Sequence, residues 1–494
     1  MSSEGMGEGM TIQTDRPAPR VVEAGGSRIE LFVDDRIAPD ARALDQLATL
    51  SRLPHVVSPV VAMPDIHSKG RNPAPTGIVV AVEGGVVPLA LDAGLNCGMR
   101  VHVLDALADE VSEERLRQLF AALSEAVPTG WWPEPVLSDS ELESVLRAGA
   151  AWVVDRRDGR GGPVARIENG GAIADPSPRE VLTGRVRRRA LRGLGVLGAG
   201  NHFLEIHVVD SVLHEHAAAL GLEEGRLLAI LHSGSGVVGK NLGLYFGERD
   251  ELHGRRKRQT RAEKLVYHLS APGPRRARLQ HFRKDFAWLA ADSVEGRRFL
   301  RAVAVAANYG YANRAAIGAA LEQAVVDVLG PSVGAPLLYD VSHVLAQREQ
   351  HAGRELFIHR HGASRAFPPS LMRGSGADPL FAVTGQPFPV PGSMGDHSYI
   401  CVGSEGAATT YFSANHGAGR TLDKPQAREA FTADAVREQL SDRGIALYQH
   451  GADLGLAEQA PGAFKDVAAV IDVMRRLDVA VPVARTTPLA TMKG

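Results

Sequence analysis

The chain has 494 residues, of which 44% are hydrophobic and 23% charged, so it is long and apolar enough to bury an extensive core. Its formal net charge of −2 excludes binding of polyanions through overall positive charge, and leaves only local clusters of Lys and Arg for that purpose. Two cysteines exclude a disulfide framework, and residues 1–17 lack an apolar signal segment, so we expect a cytoplasmic protein without membrane spans.

The first predicted segment, residues 1–27, is polar and glycine-rich, which is typical of a flexible N-terminal tail. Short β-branched or alternating runs then predict strands at Arg28–Phe32, Val56–Ala62 and Gly77–Val82. Apolar residues at helical spacing predict helices at Glu113–Ala126, Ser138–Ala151, Phe286–Asn308, Arg314–Val328 and Ala427–Ser441. This mixture predicts an α+β protein with a large mixed sheet system and peripheral helices.

Two stretches are strongly basic. Arg185–Arg192 is one, and the other lies within residues 250–285, a predicted basic insertion. The insertion contains Arg255–Arg258, Arg275, Arg276, Arg278, Arg283 and Lys284. Such clusters suit contacts with a phosphate backbone, but solvated loops and helix faces explain each cluster alone equally well.

Four segments place a potential metal ligand beside glycine or a small polar residue. They are Leu95–Gly98 with Cys97, Gly200–Phe203 with His202, Leu231–Gly234 with His232, and Val341–Val344 with His343. One thiolate and several imidazoles suit a divalent transition metal such as Mn, Fe, Co or Zn. Each histidine taken singly is also compatible with a structural role, because no compact pair of ligands joins them.

A fifth segment, Ser413–Arg420, contains His416 followed by Gly-Ala-Gly. Backbone N–H groups in such a segment can cradle a phosphate, and a neutral imidazole can attack phosphorus to form a covalent intermediate. Arg420 could offset phosphate charge. A tight turn with a surface histidine is the alternative interpretation.

Nine short segments, in this order from about residue 30 to the end of the chain, resemble the motif series of RtcB-type RNA ligases. They are Met63–His67, Leu95–Arg100, Gly198–Glu205, His232–Ser235, Asp340–His343, His359–Ala366, Pro391–Gly395, His416–Arg420 and Lys493–Gly494. The resemblance implies one large domain over residues 28–494, with mixed β-sheets around a central cleft for metal and nucleotide.

The resemblance also implies roles for individual residues. His416 matches the histidine that attacks GTP and carries GMP. Cys97 matches a thiolate that bridges two Mn²⁺ ions, of which His202 binds one and His232 with His343 binds the other. Further positions match residues that contact the guanylate: Asn201, His202, Phe203, Leu204, Glu205, His343, Pro391, Gly392, Ser393, Met394, Ser398, His416, Gly417, Ala418, Gly419 and Lys493.

The activity that the resemblance implies is GTP- and Mn²⁺-dependent joining of RNA ends. RNA 3′-phosphate or 2′,3′-cyclic phosphate ends are joined to 5′-hydroxyl ends, in RNA repair or tRNA splicing. The partners implied are GTP and RNA ends, and an archease-like activator protein is a candidate. Lys493 can act in the site only if the end of the chain turns inward.

Several positions depart from the family pattern. Gly94 stands where the family has an aspartate three residues before the cysteine, and Asp92 lies two residues earlier, on the same face if the segment is extended. We therefore expect one firm metal site, formed by Cys97, His232 and His343. Two equally tight ions would instead require Asp92 or Asp65 as a substitute ligand.

Other departures remove charge or hydrogen-bonding groups near the expected phosphate. Val344 replaces an asparagine, His361 a lysine, Gly236 an arginine and Asn415 a cysteine. These changes indicate a divergent paralogue. They keep two alternatives open: a single-metal phosphoesterase or 3′-end guanylyltransferase that does not ligate, and a non-catalytic RNA-binding protein that uses the two basic stretches.

Overall fold

A computed structural model describes residues 18–24, 27–69, 72–249, 254–270, 275–449 and 453–493. The strands are β1 Arg20–Ala24, β2 Ser27–Leu31, β3 Val56–His67, β4 Thr76–Glu83, β5 Gly85–Val86, β6 Gly98–Leu107, β7 Phe203–Val212, β8 Arg226–Ser233, β9 Leu289–Ala290, β10 Leu337–Ser342, β11 Val344–His351, β12 Arg354–His361, β13 Ala363–Arg365, β14 Pro387–Val390, β15 Ser398–Gly403, β16 Ser413–Asn415, β17 Ala446–Gln449 and β18 Ala480–Lys493. The α-helices are α1 Ala41–Ser51, α2 Glu113–Ala126, α3 Asp139–Ala148, α4 Ala150–Arg156, α5 Pro178–Val181, α6 Gly184–Ala190, α7 His216–Ala219, α8 Gly236–Tyr245, α9 Gly254–Leu269, α10 Arg275–Leu279, α11 Val294–Leu329, α12 Pro369–Met372, α13 Phe381–Thr384, α14 Lys424–Ala430, α15 Ala433–Asp442, α16 Asp453–Ala457 and α17 Val467–Arg476.

Two large mixed sheets carry the fold. The first has the order β1-β2-β3-β4-β12-β11, and the second has the order β10-β6-β8-β7-β18-β15-β14 with β17 paired to β18. One apolar core joins them, because Val61 and Val79 of the first sheet belong to the same buried cluster as Ile230 and Val341 of the second. Strands β10 and β14 approach each other, so the second sheet curves nearly into a barrel. The predicted α+β architecture is confirmed.

The central helix is α11, which packs against strands β6 and β8 and against helices α2, α3, α4 and α8. Two separate helices were predicted here, and that prediction was wrong because residues 309–313 are helical and buried on every side. A helix buried all round has no polar face, so it shows no helical alternation of apolar and polar residues. Among the described residues, no helix combines the length and apolarity needed to cross a membrane.

Several other predicted elements are confirmed. Strands β2, β3 and β4 occupy the three predicted strand segments, and α2 has the predicted bounds. The predicted helix Ser138–Ala151 is broken at Gly149, which has φ +59°, and a Cβ there would lie 2.0 Å from the oxygen of Gly171.

Three further expectations need correction or restriction. The predicted helix Ala427–Ser441 divides into α14 and α15, because Thr432 caps the second helix. The predicted flexible tail extends too far, since Arg20–Ala24 pair with β2. Residues 1–17 lie outside the described residues. So do residues 250–253 and 271–274 of the basic insertion, whose described part contains α9 and α10.

The loop before β6 approaches the middle of α11 closely. A Cβ on Gly310 would lie 2.3 Å from Oδ1 of Asn96, the residue before Cys97. Alanine normally stabilises a helix interior relative to glycine, but here the loop would have to move. We expect Gly310→Ala to lower the free energy of unfolding by about 1–2 kcal/mol, measured by urea denaturation.

Gly184→Ala is the matched control for this prediction. Gly184 is the first residue of α6, and a Cβ there would meet only the far end of the Arg188 side chain, at 3.6 Å. This control should leave stability unchanged or slightly increased. Equal effects of the two substitutions would show that the approach of the loop to α11 does not restrict residue 310.

Candidate functional site

The ends of four neighbouring strands meet at one edge of the second sheet. Cys97 directly precedes β6, His202 precedes β7, His232 lies near the end of β8, and His343 follows β10. Antiparallel pairing places Gly98 opposite both Ser342 and Ser233. It also places Phe203 opposite His232. The sheet register therefore gathers four side chains that lie far apart in the sequence.

These four side chains form one compact cluster. The Cys97 Sγ lies 3.2 Å from Nε2 of His202 and 3.1 Å from Nε2 of His232. Ligand atoms of Cys97, His232 and His343 all lie within 4.8 Å of one another. This spacing and this combination of sulfur and nitrogen suit a single divalent transition-metal ion.

Hydrogen bonds orient two of the imidazoles as they are oriented in metal sites. Nδ1–H of His202 donates to the oxygen of Leu197 at 2.8 Å, and Nδ1–H of His232 donates to the oxygen of Asn201 at 2.9 Å. Each bond leaves the Nε2 lone pair directed toward Cys97. Nδ1 of His343 is buried and has no hydrogen-bond partner among the described residues. The donor set therefore fits a cation.

Burial determines the protonation of the cluster. It lowers the pKa of His202 to about 4 and that of His232 well below its usual value, so both imidazoles are neutral near pH 7. Burial also raises the pKa of Cys97 to about 12, although the positive charge of Arg314 opposes this shift. A buried thiol of this kind ionises when a cation binds beside it.

Arg314, from the middle of α11, donates hydrogen bonds to the backbone next to two residues of the cluster. Its Nη1 donates to the oxygen of Asn96 at 3.0 Å and to the oxygen of Ser233 at 3.2 Å. These carbonyls directly flank Cys97 and His232. The Arg314 guanidinium is in turn paired with Asp340, at 2.8 Å, and both side chains are fully buried. Arg314 thus links the two ligand-bearing loops to the central helix.

His416 lies at the end of β16 beside this cluster, with its ring centroid 4.7 Å from that of His343. Nδ1–H of His416 donates to Oδ2 of Asp65 at 2.7 Å, and the His416 backbone N–H donates to the same oxygen at 3.2 Å. The carboxylate fixes the tautomer and leaves the Nε2 lone pair available for attack. Sequence reasoning named Asp65 only within a motif and as a substitute metal ligand. An ionisable residue inside a buried strand is the sequence signal that could have indicated this role of Asp65.

The loop after His416 does not leave all of its backbone N–H groups available for a phosphate. The N–H of His416 is engaged by Asp65, and that of Ala418 donates to the oxygen of Pro391 at 3.0 Å. The predicted phosphate cradle in this segment would therefore have to use its other backbone N–H groups. Gly419 has φ +77°, and a Cβ there would lie 2.3 Å from the oxygen of Asp65. This glycine is needed for close packing of the loop against β3.

Three of the predicted guanylate-contacting residues form a group on β7 and β18. Lys493 pairs with Phe203 across the two strands, and its Nζ lies 4.8 Å from the centroid of the Phe203 ring. Burial lowers the pKa of Lys493 to about 8. Glu205 accepts hydrogen bonds from Thr491 at 2.8 Å and from Nε2–H of His207 at 3.0 Å. The end of β18 therefore turns inward, as an acting Lys493 requires.

The other predicted guanylate contacts are divided in the structure. Pro391 meets the His416 loop through Ala418, and the Gly392 N–H donates to Ser398 at 3.2 Å. Ser393 donates to Asp396 at 2.5 Å. The side chains of Leu204 and Met394 instead lie in separate buried apolar clusters. Only the backbones of these two residues can present polar groups to a nucleotide.

The position of Asp92 bears directly on the second metal site. Residues 91–97 form bends and turns rather than the extended segment considered from the sequence. Asp92 forms an ion pair with Lys69 and accepts from the Ala93 N–H at 2.6 Å. Burial by itself would raise the pKa of Asp92, but the charge of Lys69 lowers it well below its usual range. Asp92 is thus an ionised carboxylate whose partner in the structure is Lys69.

His361, which replaces the lysine of the family pattern, is fully enclosed. Burial lowers its pKa to about 3, so the imidazole is neutral near pH 7. Its Nδ1 has no hydrogen-bond partner among the described residues. The positive charge that a lysine would carry at this position is therefore absent.

A second group of possible ligands was not predicted. His268, His281 and Glu295 are buried, with ligand atoms within 4.8 Å of one another. The Arg298 guanidinium lies 3.0 Å from Glu295 and 3.4 Å from Nδ1 of His268. The two imidazoles are stacked, with ring centroids 4.4 Å apart. In this structure an arginine supplies the positive charge at this cluster, which connects the basic insertion to α11.

Lys465 holds the strand segment that carries Asp65. Its Nζ donates to the oxygens of Ile37, Pro64 and Ile66 at 3.0, 3.1 and 2.7 Å. Methionine has a similar length but no donor, so three carbonyls would lose their partner. We expect Lys465→Met to lower the free energy of unfolding by about 2–3 kcal/mol in urea denaturation.

The control for this prediction is Lys240→Met, at an exposed position of α8. It changes charge and side chain in the same way without removing a buried donor, so stability should change by less than about 0.5 kcal/mol. A Lys465→Met protein as stable as the control would show that these three hydrogen bonds do not hold the segment.

Comparisons with known proteins agree with this arrangement. Residues 46–494 match the family model described as tRNA-splicing ligase RtcB. The RNA-splicing ligase RtcB of Mycobacterium tuberculosis is 33% identical over 91% of this chain and 100% of its own length. The tRNA-splicing ligase RtcB of Thermococcus kodakarensis is 32% identical over 94% of both chains. That of Archaeoglobus fulgidus is 34% identical over 92% of this chain and 91% of its own.

Proposed function

The chain belongs to the RtcB family, and we propose that it is an RNA ligase that joins 3′-phosphate or 2′,3′-cyclic phosphate ends to 5′-hydroxyl ends. We propose further that it uses GTP and Mn²⁺ and forms a histidine–GMP intermediate. One observation carries this proposal: the His416 ring, oriented by Asp65, lies 4.7 Å from the His343 ring of the ligand cluster. Its physiological role would be RNA repair or tRNA splicing.

In the first step Nε2 of His416 attacks the α-phosphorus of GTP. The N–P bond forms, the bond to pyrophosphate breaks, and the ring acquires positive charge that the Asp65 carboxylate offsets through Nδ1–H. When bound at Cys97, His232 and His343, a divalent cation would supply polarisation of phosphoryl oxygens and compensation of their charge.

The following steps return His416 to its starting state. An oxygen of the RNA 3′-phosphate attacks the phosphorus of the GMP group, which breaks the N–P bond and gives an RNA end activated by GMP. A 5′-hydroxyl then attacks the 3′-phosphorus, loses its proton, and displaces GMP as the new phosphodiester forms. A 2′,3′-cyclic phosphate must first be opened by water to give the 3′-phosphate.

Glu205 and Lys493 support guanine as the base. A carboxylate can accept from the two N–H donors on the Watson–Crick edge of guanine, and an ammonium can donate to O6. Adenine presents a different pattern, with an amino donor in place of O6. The two side chains lie on adjacent strands, β7 and β18, next to the loop that carries His202.

A second candidate function is transfer of GMP or hydrolysis of a phosphoester without strand joining. Two observations support it: the ion pair of Asp92 with Lys69, and the absence of a carboxylate at Gly94. With one cation, the protein would transfer GMP to an RNA 3′-end or hydrolyse a phosphoester without joining strands. End-labelled RNA separates these outcomes because ligation lengthens the labelled product by a whole strand. Capping adds one nucleotide, and hydrolysis adds none.

The histidine intermediate can be tested by incubating the protein with α-³²P-labelled GTP and Mn²⁺. We expect an acid-labile, protein-bound label that His416→Ala abolishes. Asp65→Asn, which retains size but cannot hold the same tautomer, should slow labelling by about a hundredfold or more. His214→Ala, outside the cluster, should label as the wild type does. Undiminished labelling of His416→Ala, or no labelling of the wild type with any divalent metal, would refute the intermediate.

The second metal site can be tested by restoring the missing carboxylate. A Cβ at Gly94 would have no atom within 4 Å, so an aspartate side chain has space there. We expect the wild type to retain close to one Mn²⁺ per chain after dialysis, and Gly94→Asp to retain close to two, measured by elemental analysis. Gly94→Asn, which adds the same volume without charge, should remain near one. Two equally tight ions in the wild type would contradict the single-site proposal.

A further inference from the structure

The fold brings together the two basic stretches that are separate in the sequence. Helices α6 and α9 both pack against α8. Arg185 of α6 forms an ion pair with Glu263 of α9. Burial lowers the pKa of Arg189, and the nearby positive charges of Arg185 and Arg256 lower it further. The contact between the two helices thus places Arg185, Arg189 and Arg256 close together on one surface.

Several arginines of α6 and α9 carry a positive charge that no nearby carboxylate among the described residues neutralises. Arg187 and Arg192 are paired with acidic residues, as is Arg185. Five others have no carboxylate within ion-pairing distance in the part of the chain that the structure describes. These five are Arg188, Arg255, Arg256, Arg258 and Arg261, and all are largely exposed. Such a concentration of unneutralised charge attracts a polyanion.

An aromatic side chain lies at the border of the same surface. Trp131 is 51% exposed, and the Arg189 guanidinium lies 4.7 Å from its ring centroid. The loop that carries it is fixed to the end of α6, because Trp132 donates from its ring to the oxygen of Leu194 at 2.9 Å and from its backbone to that of Arg192 at 3.0 Å. An exposed indole held among arginines is suited to stacking on a nucleobase.

We propose that this α6–α9 surface, composed of Trp131, Arg188, Arg189, Arg255 and Arg256, binds single-stranded RNA. The Trp131–Arg189 pair stacks on a base, and the unpaired arginines contact phosphates. The inference rests on the proposed RNA ligase function and adds the place where the strand is held outside the cluster of His416.

The position of this surface in the chain fits that role. The segment that follows α6 leads to His202, and α8, on which α6 and α9 pack, begins directly after the His232 strand. An RNA strand with its end at the ligand cluster would thus meet a surface built on the elements next to two of the ligands. Its contacts are independent of sequence, because arginine–phosphate contacts and stacking do not distinguish one base from another.

The test measures binding of a fluorescein-labelled, 20-nucleotide RNA with a 3′-hydroxyl by fluorescence anisotropy, without GTP, over a series of salt concentrations. A plot of log affinity against log salt concentration has a negative slope, to which each phosphate contact on a single strand contributes about 0.7 in magnitude. For Arg188→Glu/Arg256→Glu we expect the magnitude of this slope to decrease by about 1.4. Arg42→Glu/Arg373→Glu, a double change at exposed positions elsewhere, should retain the wild-type slope.

The base-stacking arm uses Trp131→Ala and Trp131→Phe. We expect about tenfold weaker binding of RNA to Trp131→Ala, with most of the affinity restored in Trp131→Phe. An RNA of the same length with abasic nucleotides should bind the wild type and Trp131→Ala equally, because it has no base to stack. Thermal midpoints of all variants are compared with the wild type to exclude unfolding.

The outcomes separate this inference from the proposed function. If GMP labelling and strand joining are intact but both sets of variants bind RNA as the wild type does, the α6–α9 surface is not an RNA site. That result, which is expected if the surface serves an acidic protein partner, overturns the inference alone. If the wild type forms no GMP adduct and joins no RNA, the proposed function fails regardless of how the surface variants bind.

Discussion

A buried carboxylate between two guanidiniums organises the centre of this protein. Asp340 accepts from Arg100 at 2.8 Å and from Arg314 at 2.8 Å, and all three side chains are fully buried. Arg314 also donates to the carbonyls that flank Cys97 and His232. Removing one member of such a group leaves an unpaired buried charge, which typically costs about 3–5 kcal/mol. This group links the loops of the ligand cluster to α11, in addition to backbone hydrogen bonds such as that from the His343 N–H to the oxygen of Cys97 at 2.9 Å.

The same group affects the chemistry above it. The Arg314 guanidinium lies close enough to Cys97 to act on the ionisation of its thiol. Arg314 favours the thiolate of Cys97 while burial disfavours it, and burial is the larger effect. The neutral imidazoles of His202 and His232 add donors without adding charge. A cation bound beside Cys97 would favour ionisation of its thiol.

Departures from the family pattern near this cluster remove both a carboxylate and a fixed charge. Gly94 has no side chain, Asp92 forms an ion pair with Lys69, and His361 is neutral where the family pattern has a lysine. The chain nevertheless keeps the candidate ligands His232 and His343 and the Asp65–His416 pair. The chain therefore lacks a carboxylate and a fixed charge near the cluster but keeps the His416 imidazole with its carboxylate partner.

The sequence by itself determined the family, the α+β class and the identity of the clustered residues, because local patterns and motif order do not require coordinates. Cys97, His202, His232, His343 and His416 could be named from short strings of glycine and small polar residues. The order of residues in the chain could not show that Asp65 orients His416. The carboxylate on β3 and the imidazole directly after β16 meet only through packing of the sheets. It also could not join Arg185–Arg192 to α9, or show that Lys69 holds Asp92. Those pairings follow from strand register and helix packing, which depend on contacts between residues distant in the chain.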